Sequence, residues 1–189
     1  MMKTIELFNE RLKLRLIEFS DLNAIHNLHS LPETDKYNTL GIPESIAVTN
    51  KVITPLISSN QQPNILNYTF AVEELRTGTF IGLLGFKLGS KKYSNAEVYY
   101  KLNKAHWGKG YATEAVNLVL DFGFKNLKLH RITAGCAIDN IASVKVLEKV
   151  GMKRESHARQ ILPLKSGWSD NFEYAILETD ERKNKQHNP

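Results

Sequence analysis

The sequence predicts one domain in which helices pack on a single mixed β-sheet. Its 189 residues match the usual size of one domain, and 42% hydrophobic and 24% charged residues are typical of a globular protein. In the middle of the chain, three successive segments show the two-residue period of β-strands. Further along, helix-like and strand-like segments alternate. Consecutive strands followed by alternating helices and strands indicate one sheet of mixed direction.

The first quarter of the chain predicts one strand and two helices. Charged and apolar residues alternate over residues 11–16, which indicates a strand with one buried face. A helix follows, because Leu22, Ile25 and Leu28 recur at helical spacing. A second helix is predicted over residues 45–57, where a polar segment ends it.

The remaining elements alternate in type. Predicted strands cover residues 68–72, 80–86, 96–102, 131–137, 152–162 and 172–177, and predicted helices cover residues 111–124 and 141–150. We therefore expect one domain over residues 1–179. The polar tail, residues 180–189, is expected to be frayed.

Charge and composition exclude several classes of protein. The net charge of +5 suits a polyanionic cofactor or a nucleic acid and proves neither. Nucleic acid binding is disfavoured, because Lys91, Lys92 and the cations of the tail are scattered and accompanied by acidic residues. No secretory signal and no apolar stretch of ~18 residues is seen, so a cytoplasmic protein without a membrane partner is expected. One cysteine excludes a disulfide framework and a cysteine-based zinc site.

Residues 106–115 are the most informative segment, because a strand leads there through two glycines into an amphipathic helix. Gly108 and Gly110 let backbone N–H groups turn towards one point without an intervening Cβ. The first helical turn adds unpaired N–H groups and the positive end of the helix dipole. Ala112 and Thr113 are small, and Lys109 can add a charge. The segment favours a phosphate or pyrophosphate ligand, although a loop that only caps a helix can carry the same glycines.

Two common phosphate-binding motifs do not describe this loop. A Walker A loop requires Ser or Thr after its lysine, whereas Gly110 follows Lys109. A dinucleotide-binding fingerprint requires a third small residue where Thr113 stands. It also requires an acidic residue about 20 positions later, where this chain has His130 and Arg131.

Two motifs resemble those of the GNAT acetyltransferases. Residues 107–112, Trp-Gly-Lys-Gly-Tyr-Ala, resemble motif A, which is Gln/Arg-x-x-Gly-x-Gly/Ala. Trp107 replaces the usual Gln or Arg, a form typical of the branch similar to the ribosomal-protein N-terminal acetyltransferases of the Rim type. Residues 139–152 resemble motif B of the same branch, Asn-x-x-Ser-x-x-x-x-Glu-Lys-x-Gly-Phe/Met. The resemblance extends from about Leu12 to Leu177.

The resemblance implies a fold, a reaction and a set of site residues. The fold would be α+β, with a mostly antiparallel mixed sheet splayed between strands 96–102 and 131–137 and with helices on both faces. Acetyl-CoA would donate its acetyl group to a primary amine by direct attack in a ternary complex, without a metal, in a monomer or homodimer. The implied cofactor-binding residues are Tyr100, Leu102, Trp107, Gly108, Lys109, Gly110, Tyr111, Ala112, Thr113, Asn140 and Ser143.

Glu97 is the implied general base of this reaction. It lies in the strand that leads to the loop, where a carboxylate could take a proton from the arriving amine directly or through one water. An ordinary surface glutamate is the alternative. The unperturbed pKa of a glutamate, ~4.3, is too low for efficient base work at neutral pH unless burial raises it, so we expect a partly buried site near Tyr99 and Tyr100.

Ser143 is the implied proton donor to the departing CoA sulfur. Many members of the family use a tyrosine for this, four residues further on in the motif, but this chain has Leu147 there. A serine that satisfies a nearby backbone group at the helix start is the alternative. Asn140 would hold the cofactor or a bridging water, and backbone N–H groups near Tyr100 would stabilise the oxyanion.

Other chemically active side chains have simpler interpretations. Cys136 could accept an acetyl group, but a lone buried cysteine is more often a small hydrophobic residue. His26 and His29 are expected to be solvated, because no third metal ligand is evident. Glu114 would orient the loop or the helix dipole.

No motif specifies the acceptor amine. A protein N-terminus, an amino acid, a polyamine and an aminoglycoside all remain open. The acceptor pocket is expected to involve the helical region 31–64 and a loop over residues 162–170. An acidic groove would favour cationic small molecules, and an open one a peptide N-terminus. The second functional class is a non-catalytic acyl-CoA-binding or regulatory module of the same fold, which the presence of Glu97 and Ser143 disfavours.

Overall fold

The computed structural model describes residues 5–182 and contains an eight-stranded sheet. The strands are β1 (Glu6–Phe8), β2 (Leu12–Leu16), β3 (Asn67–Glu74), β4 (Phe80–Leu88), β5 (Asn95–Leu102), β6 (Arg131–Ala137), β7 (Lys153–Leu164) and β8 (Gly167–Leu177). The α-helices are α1 (Leu22–His29), α2 (Pro32–Asp35), α3 (Ile46–Asn60), α4 (Tyr111–Asp121) and α5 (Ile141–Lys149). A π-helical turn, Phe122–Asn126, continues α4. Among the described residues, no helix is long and apolar enough to span a membrane.

The sheet opens in its middle, as the resemblance predicts. Its order is β1-β2-β3-β4-β5-β6-β8-β7, and every neighbouring pair is antiparallel except β5 and β6. These two parallel strands pair only from Asn95 with Arg131 to Glu97 with Thr133. Because β5 continues to Leu102 and β6 to Ala137, a wedge-shaped gap separates their last residues.

The backbone of β5 presents free polar groups to this gap. In a strand, successive residues direct their backbone N–H and C=O groups to opposite neighbours. Just after β5, the N–H of Asn103 donates to the carbonyl of Ile81 in β4 at 2.9 Å. The carbonyl of Ala96 faces β6 instead, where it accepts a hydrogen bond from Thr133 Oγ1 at 3.3 Å. By this alternation the backbone groups of Tyr100 face the side of β6, beyond the point where pairing ends.

Helices cover both faces of the sheet, which confirms the predicted architecture. On one face α4 and α5 pack over a large core, in which Phe70 and Val72 of β3 are fully buried. On the other face α1 and α3 pack over a smaller core around Ala71. The alternation of these three residues follows from the two-residue period of a strand.

The structure contains two elements that the sequence did not predict and corrects two predictions of local structure. Strand β1 and helix α2 were not predicted, because neither is long enough to show a period. Helix α3 continues past residue 57 to Asn60, whose side-chain amide forms two hydrogen bonds of 3.1 Å with the backbone of Thr69. The expected loop over residues 162–170 is the tip of a hairpin formed by β7 and β8. None of residues 162–170 is buried, so the tip of the hairpin lacks the alternation that identifies a strand.

The start of the tail is held against the domain rather than frayed. Asp180 accepts a hydrogen bond from the backbone N–H of Leu177 at 3.0 Å. Arg182 forms an ion pair with Asp121 at the end of α4. The remainder of the expected tail, residues 183–189, lies outside the described residues.

Candidate active site

The glycine loop and the first turn of α4 form a cradle of backbone N–H groups. Gly108 and Gly110 have φ angles of 73° and 84°, a left-handed conformation that favours glycine. Gly110 precedes α4 and has no capping side chain. The first intrahelical N–H bond comes from Glu114, to the carbonyl of Gly110 at 3.1 Å. The N–H groups of Tyr111, Ala112 and Thr113 are therefore left without helical partners and available to an anion.

Arg11, at the start of the sheet, fixes the shape of this cradle. Its Nη2 donates to the carbonyl of Lys109 at 2.7 Å, and it forms an ion pair of 2.9 Å with Glu114. The guanidinium also lies over the ring of Tyr111, 4.5 Å from the centroid. Asn9 Nδ2 donates to the same Glu114 carboxylate at 3.1 Å. Glu114 acts on the loop through Arg11, consistent with the orienting role expected from the sequence.

Trp107 connects the cradle to the end of β5. Its indole Nε1 donates to the carbonyl of Leu102 at 2.8 Å. Leu102 is a predicted cofactor-binding residue, and its carbonyl is already used to hold the loop in place. The bond fixes the glycine loop to the end of β5.

One cavity of about 1090 Å³ joins the cradle, the gap and the face covered by α1 and α3. Ten of the predicted site residues line it: Tyr100, Leu102, Trp107, Gly108, Gly110, Tyr111, Ala112, Thr113, Asn140 and Ser143. Glu97 and Lys109 are not among its lining residues. The expectation that Glu97 is partly buried is wrong, because its side chain is exposed. Glu97 is the last residue of β5 that pairs with β6.

Ser143 and Tyr100 meet inside the gap. The two hydroxyl groups form a hydrogen bond of 2.9 Å, so the Ser143 side chain does not serve its own helix. Helix α5 is capped instead by Asn140, whose Oδ1 accepts from the backbone N–H of Ser143 at 3.2 Å. Burial raises the pKa of the Tyr100 hydroxyl, which is therefore protonated at neutral pH and can donate to Ser143. Burial also raises the pKa of the Cys136 thiol to about 11, which disfavours a thiolate nucleophile.

The part of the cavity beyond the gap holds two basic groups that the sequence did not single out for binding. His29 is 7% exposed, so the expectation that it is solvated is wrong. Burial, with a contribution from the nearby charge of Lys101, lowers the pKa of His29 to about 4. Burial also lowers the pKa of Lys101 to about 8, partly offset by Asp35. His26 is half-buried, and its Nδ1 hydrogen-bonds with Thr49 Oγ1 at 2.8 Å.

Lys101 could have been found from the two-residue period of its strand. Residues 97, 99 and 101 share one face of β5, so a cavity expected beside Glu97 is also expected beside Lys101. Glu173 of β8 is a further group without a sequence signal. It is partly buried, and burial followed by the nearby charge of Glu97 raises its pKa. In the described part of the chain, no three His, Cys, Asp or Glu side chains are grouped as a metal site would require.

Comparisons with known proteins agree with this arrangement. Residues 11–153 match the family described as acetyltransferase (GNAT) domain. The chain is 32% identical over 173 residues to the uncharacterized N-acetyltransferase YnaD of Bacillus subtilis, which covers 90% of this chain and 96% of that protein. The structure of a GNAT-family acetyltransferase from Bacillus anthracis is 32% identical, with a TM-score of 0.80, and the match covers 92% of this chain and 99% of that one. Spermidine N-acetyltransferase from Vibrio cholerae, solved with CoA and spermine, is 27% identical with a TM-score of 0.80 and coverages of 91% and 98%.

Proposed function

The chain belongs to the GNAT acetyltransferase family and is an acetyl-transferring enzyme, and from that premise we propose that it moves an acetyl group from acetyl-CoA to a primary amine by direct attack in a ternary complex. One observation carries this proposal. A single cavity joins a cradle of free N–H groups to a gap between two strands. The cradle suits a pyrophosphate, and the gap suits an extended arm that carries amide groups.

The cradle and the gap would bind the two ends of the cofactor. The free N–H groups of Tyr111, Ala112 and Thr113 bind the pyrophosphate, and Lys109 adds a positive charge at the loop. The carbonyl of Tyr100 and the N–H of Leu102 pair with the pantetheine amides, because β6 has diverged from β5 at that point. Asn140 lines the same cavity and offers its side-chain N–H to the cofactor or a bridging water, while its Oδ1 caps α5.

The leaving sulfur would receive its proton from Ser143. As the amine nitrogen bonds to the carbonyl carbon, the carbon–sulfur bond breaks and the electron pair passes to sulfur. Tyr100 can donate its hydroxyl proton to Ser143 Oγ, which directs the Ser143 proton towards the thiolate. The backbone N–H of Tyr100 stabilises the oxyanion that forms on the carbonyl oxygen.

The ammonium of the acceptor must lose a proton before or during attack, and we assign this step to Glu97. Its side chain is exposed and does not line the cavity, so the proton reaches it through water. The carboxylate lies on the same face of β5 as Lys101, which does line the cavity. The acceptor therefore enters from the side of α1 and α3, opposite the face against which α4 packs.

The proposal is tested by following free CoA while acetyl-CoA is offered with panels of primary amines. The panels contain amino acids, polyamines, aminoglycosides and peptides with free N-termini, and a separate titration measures acetyl-CoA binding by calorimetry. We expect acetyl-CoA to bind and at least one class of amine to be acetylated. Absence of both binding and turnover contradicts the proposal.

The same assay tests the assigned base with Glu97→Gln, which keeps the size of the side chain and removes its basicity. We expect kcat/KM to fall near neutral pH and to recover as rising pH supplies free amine. Lys87→Gln, on the strand facing Glu97, is the control for a local change of charge. A Glu97→Gln enzyme with the wild-type rate and pH profile would transfer the role of base to another group or to bulk water.

A further inference from the structure

The cavity has a distinct apolar compartment on the face covered by α1 and α3. Its walls combine residues of the loop after β2, helix α3 and strand β4: Ile17, Val52, Ile53, Leu56 and Leu83. Lys101 lies within this compartment, because it is the cross-strand partner of Leu83 and its side chain projects from the same face. An ammonium group thus stands beside apolar walls, with His29 as the other basic group in this part of the cavity.

The side-chain ammonium of Lys101 forms no hydrogen bond and no ion pair with any other residue that the structure describes. Most of its side chain is buried, and its charge interacts with Asp35 without direct contact. Its pKa of about 8 leaves the group mainly protonated at neutral pH. Asp35 offsets the cost of burying this charge only in part and without direct contact, so the compartment favours a ligand that brings an anion to Lys101.

Acidic groups that could bind a polycation are scarce in this compartment. Of the carboxylate residues that line the described cavity, Glu33 is already bonded to Lys104 Nζ at 2.6 Å. The other, Asp139, precedes α5 on the opposite side of the gap. His29 contributes no compensating charge, because its low pKa keeps the imidazole neutral. The compartment therefore disfavours a second ammonium beside Lys101, which a polyamine would bring.

We propose that the acceptor is an apolar amino acid whose carboxylate pairs with Lys101 and whose side chain packs against Ile53, Leu56 and Leu83. This inference rests on the proposed acetyl transfer and names its substrate class. The α-amine, one carbon from the carboxylate, then faces the gap where the thioester is expected. The positive charge of Lys101 near the bound amine also favours loss of its proton, because like charges destabilise the ammonium form.

The carboxylate itself provides the sharpest test. Leucine, methionine and phenylalanine are compared with their methyl esters, which keep the amine and side chain but lack the negative charge. We expect wild-type kcat/KM to favour each free acid by at least tenfold, equivalent to about 1.4 kcal/mol. In Lys101→Met, a change of similar length without charge, this preference should fall to about twofold or less. Lys87→Met removes a cation from an exposed position on β4 and should keep the wild-type preference.

A second measurement separates this inference from the proposed function. Calorimetry compares N-acetyl-leucine with its methyl ester on the CoA-loaded protein, so no turnover is required. Preferential binding of the acid that Lys101→Met removes supports the inference. Equal binding, equal use of acid and ester, or preference for spermidine or for peptide N-termini overturns it, even though acetyl transfer stands. If acetyl-CoA neither binds nor reacts, the proposed function itself fails.

Discussion

The side chain and the backbone of Ser143 have separate partners. Its N–H is bonded to Asn140 and so serves the start of α5, whereas its hydroxyl is bonded to Tyr100. Removing the hydroxyl should therefore leave the helix cap intact. This separation lets a chemical role for the hydroxyl be measured without disturbing the fold.

Ser143→Ala should lower kcat more than it changes the KM for acetyl-CoA. General acid catalysis typically raises a rate by ~10²–10⁴-fold. Because a proton from solvent can replace part of this effect, we expect kcat to fall by about 10–100-fold. Steady-state rates with varied acetyl-CoA give both constants. Ser20→Ala is the control, because Ser20 is exposed and lies far from Ser143 in the sequence. A Ser143→Ala enzyme with wild-type kcat would leave the hydroxyl a purely structural partner of Tyr100.

Motif resemblance identified these residues, but not their surroundings. The positions of Ser143 and Gly110 follow from motifs with fixed spacing, and both line the cavity. The exposure of Glu97 could not be predicted, because it depends on where two distant strands separate. The burial of His29 likewise depends on a sheet face assembled from residues far away in sequence.

The cradle is a property of a whole element, the start of α4, and of the arginine that fixes it. Gly110 adopts the left-handed conformation that the turn requires, and Arg11 donates a hydrogen bond to the carbonyl of Lys109. A Cβ placed on Gly110 would have no atom closer than 3.8 Å, so the fold has room for it. The added Cβ is therefore expected to clash with the bound ligand and not with the protein.

Gly110→Ala should weaken acetyl-CoA binding by at least tenfold, about 1.4 kcal/mol. Its left-handed φ should also reduce the free energy of unfolding by about 1–2 kcal/mol. Gly78→Ala is the matched control, because Gly78 has a φ of 68° and open space around it but lies in the turn between β3 and β4. Urea unfolding and calorimetry should show similar destabilisation in both variants and weaker binding only in Gly110→Ala. Equal affinities would mean that the cofactor does not contact the cradle.

Elements with one buried face were the ones that the sequence predicted well. Strand β6 was predicted at its observed bounds, and strands β2 and β5 show the expected alternation of buried and less buried positions. The hairpin of β7 and β8 extends beyond the core, so its tip has no hydrophobic period to detect. A strand of this kind is specified by its partner rather than by its own sequence.

At the scale of the molecule, acetyl-CoA should stabilise the junction between the two parts of the sheet. Strands β1–β5 and β6–β8 share only three paired positions. A ligand present at 100 times its Kd adds about 2.7 kcal/mol to stability. We expect a higher Tm and slower hydrogen exchange at Tyr100 and along β6. ADP, which offers a pyrophosphate without pantetheine, should raise Tm without slowing exchange in the gap, and identical exchange with both ligands would contradict the assigned pantetheine site.

The narrow junction also gives the chain a natural point of division. Strands β1–β5, with α4 packed on them, precede residue 127, and strands β6–β8 follow residue 130. Each part of the sheet is therefore encoded by one uninterrupted segment of the chain. A break in the connecting loop would create two fragments joined by the three paired positions of β5 and β6, by helix packing and, when present, by the cofactor. Reassembly of such fragments would then respond to the concentration of acetyl-CoA, which would make the divided protein a reporter of that metabolite.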